Sequence, residues 1–173
     1  MNQKISLVIL LAIALLGCSS NSLVQTSLEE QANATENQQE NKAQVLPIAA
    51  RAFIKGEVIE LEVAQTREQQ ALGLMFREDL PANRGMLFSF EPATVTRFWM
   101  KNVSIPLDMI FLRQGKVKAI AAAVPPCQSD NCPVYGPETL IDRVIELRGG
   151  RAKELGLVVG DRIEVEFFNS DNE

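Results

Sequence analysis

From residue 86 to 124, four apolar, strand-like runs follow one another with almost nothing between them that could form a helix, and this constrains the fold more than any other feature of the chain. Met86–Phe90, Val95–Met100, Leu107–Arg113 and Val117–Val124 are punctuated by Glu91-Pro92, Ile105-Pro106 and Gln114-Gly115, pairs that interrupt or turn a strand. Short links favour pairing between sequence neighbours, so the pattern predicts a mainly β, mostly antiparallel domain. So many short strands would leave long open edges unless the sheet folded over. The expected closure is therefore a compact sandwich or barrel-like sheet.

The flanking segments extend this pattern. Ala52–Ile54 and Val58–Val63 read as a hairpin about Lys55-Gly56, with Ile59, Leu61 and Val63 alternating against Glu60 and Glu62. Thr66 and Gln69 have the spacing of a capping box, which predicts a short helix over Arg67–Leu72 stopped by Gly73. Leu140–Leu147 is a further strand, and Gly149-Gly150 opens a second short helix over Arg151–Leu155. Asp161–Phe168 closes the domain, with Ile163, Val165 and Phe167 alternating against Glu164 and Glu166. The domain is expected over residues 47–168, with 169–173 as a tail.

The N-terminus reads as an address. Ile5–Leu16 is apolar apart from Ser6 and follows a short start with one positive charge, the pattern of a signal peptide over residues 1–17. This run of about 12 residues falls well short of the ~20 that a spanning helix needs. Gly17-Cys18 closes it and resembles a bacterial lipobox, which makes Cys18 the expected site of lipidation and the membrane the expected partner. The protein would then be extracytoplasmic, on the periplasmic side or at the cell surface. Residues 18–46, rich in Gln, Asn, Glu, Ser and Thr, lack a sustained period and read as a disordered tether. A coil of that length reaches on the order of 30 Å.

Composition removes several chemistries. The chain has no histidine, so triads, imidazole bases and His-rich metal sites are excluded. A net charge of -5 leaves no basic footprint for nucleic acid. Cys127 and Cys132 lie in a proline-bounded loop of an exported chain, which suits a structural disulfide better than a redox or metal pair. Met75, Met86, Met100 and Met109 offer soft thioethers for Cu(I), but each lies in an apolar run where methionine ordinarily fills core. The aspartates show no calcium-loop spacing. No metal and no cofactor is expected.

Arg77, Trp99, Lys101, Asn102 and Asp108 are the residues that core packing explains least. Asp108 enters the strand Met109-Ile110-Phe111-Leu112, where a carboxylate is costly to bury unpaired, so Arg77 or Lys101 is its expected partner. Convergence of all five on one concave face would make a binding site for a small polar or saccharide-like ligand, or for an envelope polymer. Two alternatives stand beside it. One is a hydrolase or isomerase with Asp108 as base and Lys101 or Arg77 as electrophile. The other is a purely structural envelope protein in which an ion pair and a core Trp hold a corner of the sheet.

Gly73-Leu74-Met75-Phe76-Arg77, Arg84-Gly85-Met86-Leu87-Phe88, Phe98-Trp99-Met100-Lys101-Asn102, Ile105-Pro106-Leu107-Asp108 and Val159-Gly160-Asp161, in that order, resemble the uncharacterised domain-of-unknown-function family 192. The resemblance spans about Ile48 to Phe168 and departs only at Val103, where such sequences more often carry Thr. It implies a jelly-roll-like β-sandwich with short helices, often exported or membrane-anchored, and no established activity. The Cys127 and Cys132 pair is similar to a feature of exported members.

Overall fold

The computed structural model describes residues 42–168. The apolar run, Cys18, the tether up to residue 41 and the tail 169–173 lie outside the described residues. The elements run β1 (Ile48–Ile54), β2 (Glu57–Ala64), α1 (Arg67–Leu72), β3 (Arg84–Thr94), β4 (Phe98–Trp99), β5 (Leu107–Arg113), β6 (Lys116–Val124), β7 (Val134–Tyr135), β8 (Ile141–Arg148), α2 (Arg151–Glu154) and β9 (Glu164–Phe167).

Seven strands form one sheet in the order β6-β5-β8-β3-β2-β1-β9, while β4 and β7 pair as a separate ribbon. Every pairing in the large sheet is antiparallel except β2 with β3, which is parallel. A parallel pair needs a crossover, and α1 with the 73–83 loop supplies it. The predicted capping box is present: Gln69 N donates to Thr66 Oγ1 at 3.2 Å, and Gln69 Oε1 accepts from Thr66 N at 3.1 Å.

The sheet curls until its ends approach. Lys116 bridges Arg162, Val117 N donates to Asp161 O at 2.9 Å, and Ile163 N donates to Gly115 O at 2.8 Å. The curl stops short of a closed barrel, and ribbon plus sheet form the β-sandwich. Strand alternation divides the core in two. Ile54, Ile59, Leu61, Leu87, Ile110, Leu112, Ile145 and Leu147 fill the inside of the curl. Met86, Phe88, Met109, Phe111 and Val144 point outward, where Leu74, Met100 and Val103 cover them. Phe98 keys the ribbon onto this outer face, edge-to-face with Phe88, Phe111 and Phe90 at centroid distances of 5.0, 6.0 and 6.3 Å.

Two strands differ from expectation. Val95–Met100 contributes only Phe98–Trp99, and in the ribbon rather than the main sheet. β3 instead continues through Glu91-Pro92, because a register shift between Ser89 and Thr94 lets the proline lie in a strand that no longer pairs regularly there.

Candidate functional site

Asp108 is fully buried and has neither expected partner. Its Oδ1 accepts from Ala123 N at 2.6 Å and from Gly150 N at 2.9 Å, and its Oδ2 accepts from Ala152 N at 2.6 Å. The glycines make this possible. Gly149 donates its N–H to Pro106 O at 2.8 Å, and a Cβ there would stand 2.8 Å from Pro106 Cβ. Gly150 takes φ +86, a conformation that turns the following amides back toward Asp108. Three backbone donors satisfy the charge without a cation. Both oxygens are taken up by the backbone, and neither Arg77 nor Lys101 stands beside them as the electrophile that the hydrolase or isomerase reading requires.

Arg77 pairs with Glu62 instead. Its Nη2 lies 2.6 Å from Glu62 Oε2, with both side chains largely buried, and its Nε donates to Gln44 O at 2.7 Å. Leu46 N also donates to Glu62 Oε2 at 2.7 Å, while Gln44 Nε2 donates to Gln69 O and Gly73 O. Gln44 and Leu46, assigned to the tether by composition, are thus hydrogen-bonded onto the domain.

Lys101 reaches Asp130 at 3.2 Å, a partner that is wholly exposed, so the pair contributes little. Asn102 serves through its backbone, with φ +58, a conformation that asparagine tolerates better than most residues. Its O accepts from Phe76 N at 2.8 Å and its N donates to Cys127 O at 3.3 Å. The expected disulfide joins Cys127 to Cys132. Cys127 N also donates to Met100 O at 3.2 Å, so the disulfide loop buttresses the segment that follows Trp99.

The five residues therefore do not share one face. Trp99, Lys101 and Asn102 follow one another beside the outer core, and the Phe76–Asn102 hydrogen bond ties in the chain next to Arg77. Asp108 points to the inner face, because it alternates with Leu107 and Met109, which face outward, and is held by Ala152 of the inner core. The period-two geometry of β5 causes the separation.

The residue that sequence reasoning missed is Glu146. A row runs across the outer face from Glu62 through Met86 and Glu146 to Met109. Glu146, only 4% exposed, stands between two fully buried methionines. With no cation or donor among the described residues to offset it, desolvation raises its pKa to about 8. A signal was available: Glu146 interrupts Val144-Ile145 and Leu147 just as Asp108 interrupts its own strand.

Glu146 lines a recess of about 30 Å³ with Gly73, Met75, Phe88, Phe98 and Trp99, room for about one water. Beside it lies a groove of about 280 Å³, which shares Gln70, Ala71, Phe88, Phe98 and Trp99 and adds Phe90 and Arg97. Trp99, 47% exposed, stands between the two. At neutral pH the recess therefore ends in an uncharged carboxyl with one O–H donor and free acceptor capacity, under an aromatic wall. Met86, Met100 and Met109 are buried core residues, and among the described residues no three Cys, Asp or Glu side chains converge as a metal site would need. No helix among the described residues is long and apolar enough to cross a membrane.

A model of the family DUF192, described as Uncharacterized ACR, matches residues 50–165. Two solved structures resemble the chain. One is a protein of unknown function from Novosphingobium aromaticivorans, 33% identical, with a TM-score of 0.61, covering 71% of this chain and 92% of its own. The other is a Sinorhizobium meliloti protein for which a role as transcription regulator has been suggested. It is 31% identical, with a TM-score of 0.62, and covers 70% of this chain and 97% of its own. No curated protein matches the sequence.

Proposed function

The chain belongs to the DUF192 family, and from that premise we propose that it is an extracytoplasmic lipoprotein, anchored through Cys18, whose domain binds a small uncharged ligand in the groove beside Trp99. The anchor is supported by the short apolar run that ends at Gly17-Cys18. The ligand reading is carried by one observation, the unpartnered Glu146 carboxyl at the end of an aromatic recess. A buried polar group without a partner costs stability, and such groups are retained where a ligand or water completes them.

The chemistry selects the ligand class. An apolar ring face stacks on Trp99 and Phe98, and a hydroxyl or amide enters the recess to exchange hydrogen bonds with the neutral carboxyl. A saccharide-like molecule has both features. Anions are disfavoured, since no cation lines the recess and Arg97, the one cation of the adjoining groove, is already paired with Glu138. Gln70 and Arg97 take the place first assigned to Lys101 and Asn102 as polar groups of the groove.

Trp99 is the only tryptophan, so its fluorescence reports this site alone. Titration with neutral mono- and disaccharides at pH 7 should give saturable changes. Glu146→Gln, uncharged and hydrogen-bonding, should retain them, and Glu146→Leu should lose them. Tighter binding of anionic sugars than neutral ones, or undiminished binding by Glu146→Leu, would overturn the reading.

A further inference from the structure

A basin of about 630 Å³ lies at one end of the curled sheet, walled in part by Ser89, Pro92, Ala93, Arg143 and Phe167. That volume is within the range of small-molecule sites. Strand alternation decides which of these groups can meet. In β3, Leu87 belongs to the inner core and Phe88 to the outer, so Ser89 faces inward. In β8, Ile145 is inner and Val144 outer, so Arg143 faces inward as well. Ser89 and Arg143 are direct antiparallel partners, which sets their Cβ atoms about 5 Å apart on one face. Leu112, paired with Arg143 on its other side, is part of the inner core.

Both groups have unused hydrogen-bonding capacity. The Arg143 guanidinium lies over the Phe167 ring, 5.5 Å from its centroid, which engages its face. The N–H groups around its edge have no acceptor and no carboxylate partner among the described residues, and none of its nitrogens is buried. Ser89 is exposed, and its hydroxyl makes no hydrogen bond among the described residues.

From this pair we infer that the basin is a second binding site, on the opposite face of the sheet from the Trp99 groove, for a small monocarboxylate with an apolar body. The carboxylate lies in the guanidinium plane and takes two parallel N–H donors from Arg143, and one of its oxygens also accepts from Ser89 Oγ. The apolar body lies along Pro92 and Ala93, which continue β3 beyond Ser89. The site selects a single negative charge. Arg113 is committed to Asp142 and Glu91 adds a carboxylate to the wall, so phosphate finds no second cation.

Calorimetric titration of the full chain at pH 7 with benzoate, benzamide, acetate and inorganic phosphate tests the inference. Benzoate should bind at one saturable site. Benzamide, which keeps the ring but not the charge, and acetate, which keeps the charge but not the ring, should each bind at least about tenfold more weakly. Arg143→Gln should abolish binding, and Ser89→Ala, at an exposed position, should weaken it roughly tenfold. Trp99→Phe should leave it unchanged. Should Arg143→Gln fail to fold, Ser89→Ala decides. The inference is overturned by no saturable binding of benzoate, by benzamide equal to benzoate, by phosphate tighter than benzoate, by affinity unaltered in Ser89→Ala, or by loss of binding in Trp99→Phe.

Discussion

Asp108 and Glu146 sit on neighbouring strands of one sheet, and their carboxyls point to opposite faces. Asp108 receives three backbone N–H groups, while Glu146 receives none from the described residues. One acid is therefore part of the scaffold, and the other is left without a partner and sensitive to pH.

For Glu146 the pH dependence has a definite sign. The unfolded side chain ionises near 4.5 and the folded one at about 8, so between these values the unfolded state holds fewer protons and stability falls as pH rises. The loss from this group amounts to up to about 5 kcal/mol. Glu146→Gln should remove it. Urea unfolding of both proteins at pH 5 and pH 8 checks this, and equal changes in the two would exclude Glu146 as the source.

Asp108→Ala should destabilise the domain by ~3 kcal/mol or more, because it strands the buried N–H groups of Ala123, Gly150 and Ala152. Chemical denaturation measures the loss. A change below about 1 kcal/mol would mean that the three donors find other partners.

Arg77→Ala should leave Glu62 as a buried, unpaired carboxylate, at a cost of about 3 kcal/mol. It should also release the hold on Gln44, so amide exchange at Leu46 should quicken more than at β3. Uniform acceleration across the sheet would argue against a local clasp.

Replacing Cys127 and Cys132 by Ser should cost about 2 kcal/mol from the short closed loop. The backbone contacts from Cys127 to Met100 and Asn102 predict a second effect, a shift in Trp99 emission as the wall of the groove loosens. Melting temperature and emission spectra separate the two, and an unchanged spectrum would confine the disulfide to its own loop.

Cys18→Ala should leave the protein unprocessed or release it from membranes. Fractionation and the mobility of the mature chain check this. Membrane association and size both unchanged would dismiss the lipid anchor.

Local signals in the sequence were enough for the parts of the fold that depend on local physics. Thr66 and Gln69 specify a helix start through their own side chains, Ile59, Leu61 and Val63 alternate because one face of β2 is buried, and Cys127 and Cys132 are close enough in the chain to meet. Membership of the family, matched over residues 50–165, is likewise a property of the sequence alone. Tertiary structure alone decided which buried charges found partners. Arg77 met Glu62 because the crossover through α1 returns the chain beside β2, a pairing that neither spacing nor residue type specifies. Asp108 and Glu146 look alike in sequence, each an acid within an apolar strand. Their different fates follow from strand alternation and sheet order, which brought the Gly149-Gly150 turn to one face and the two methionines, Trp99 and an open recess to the other.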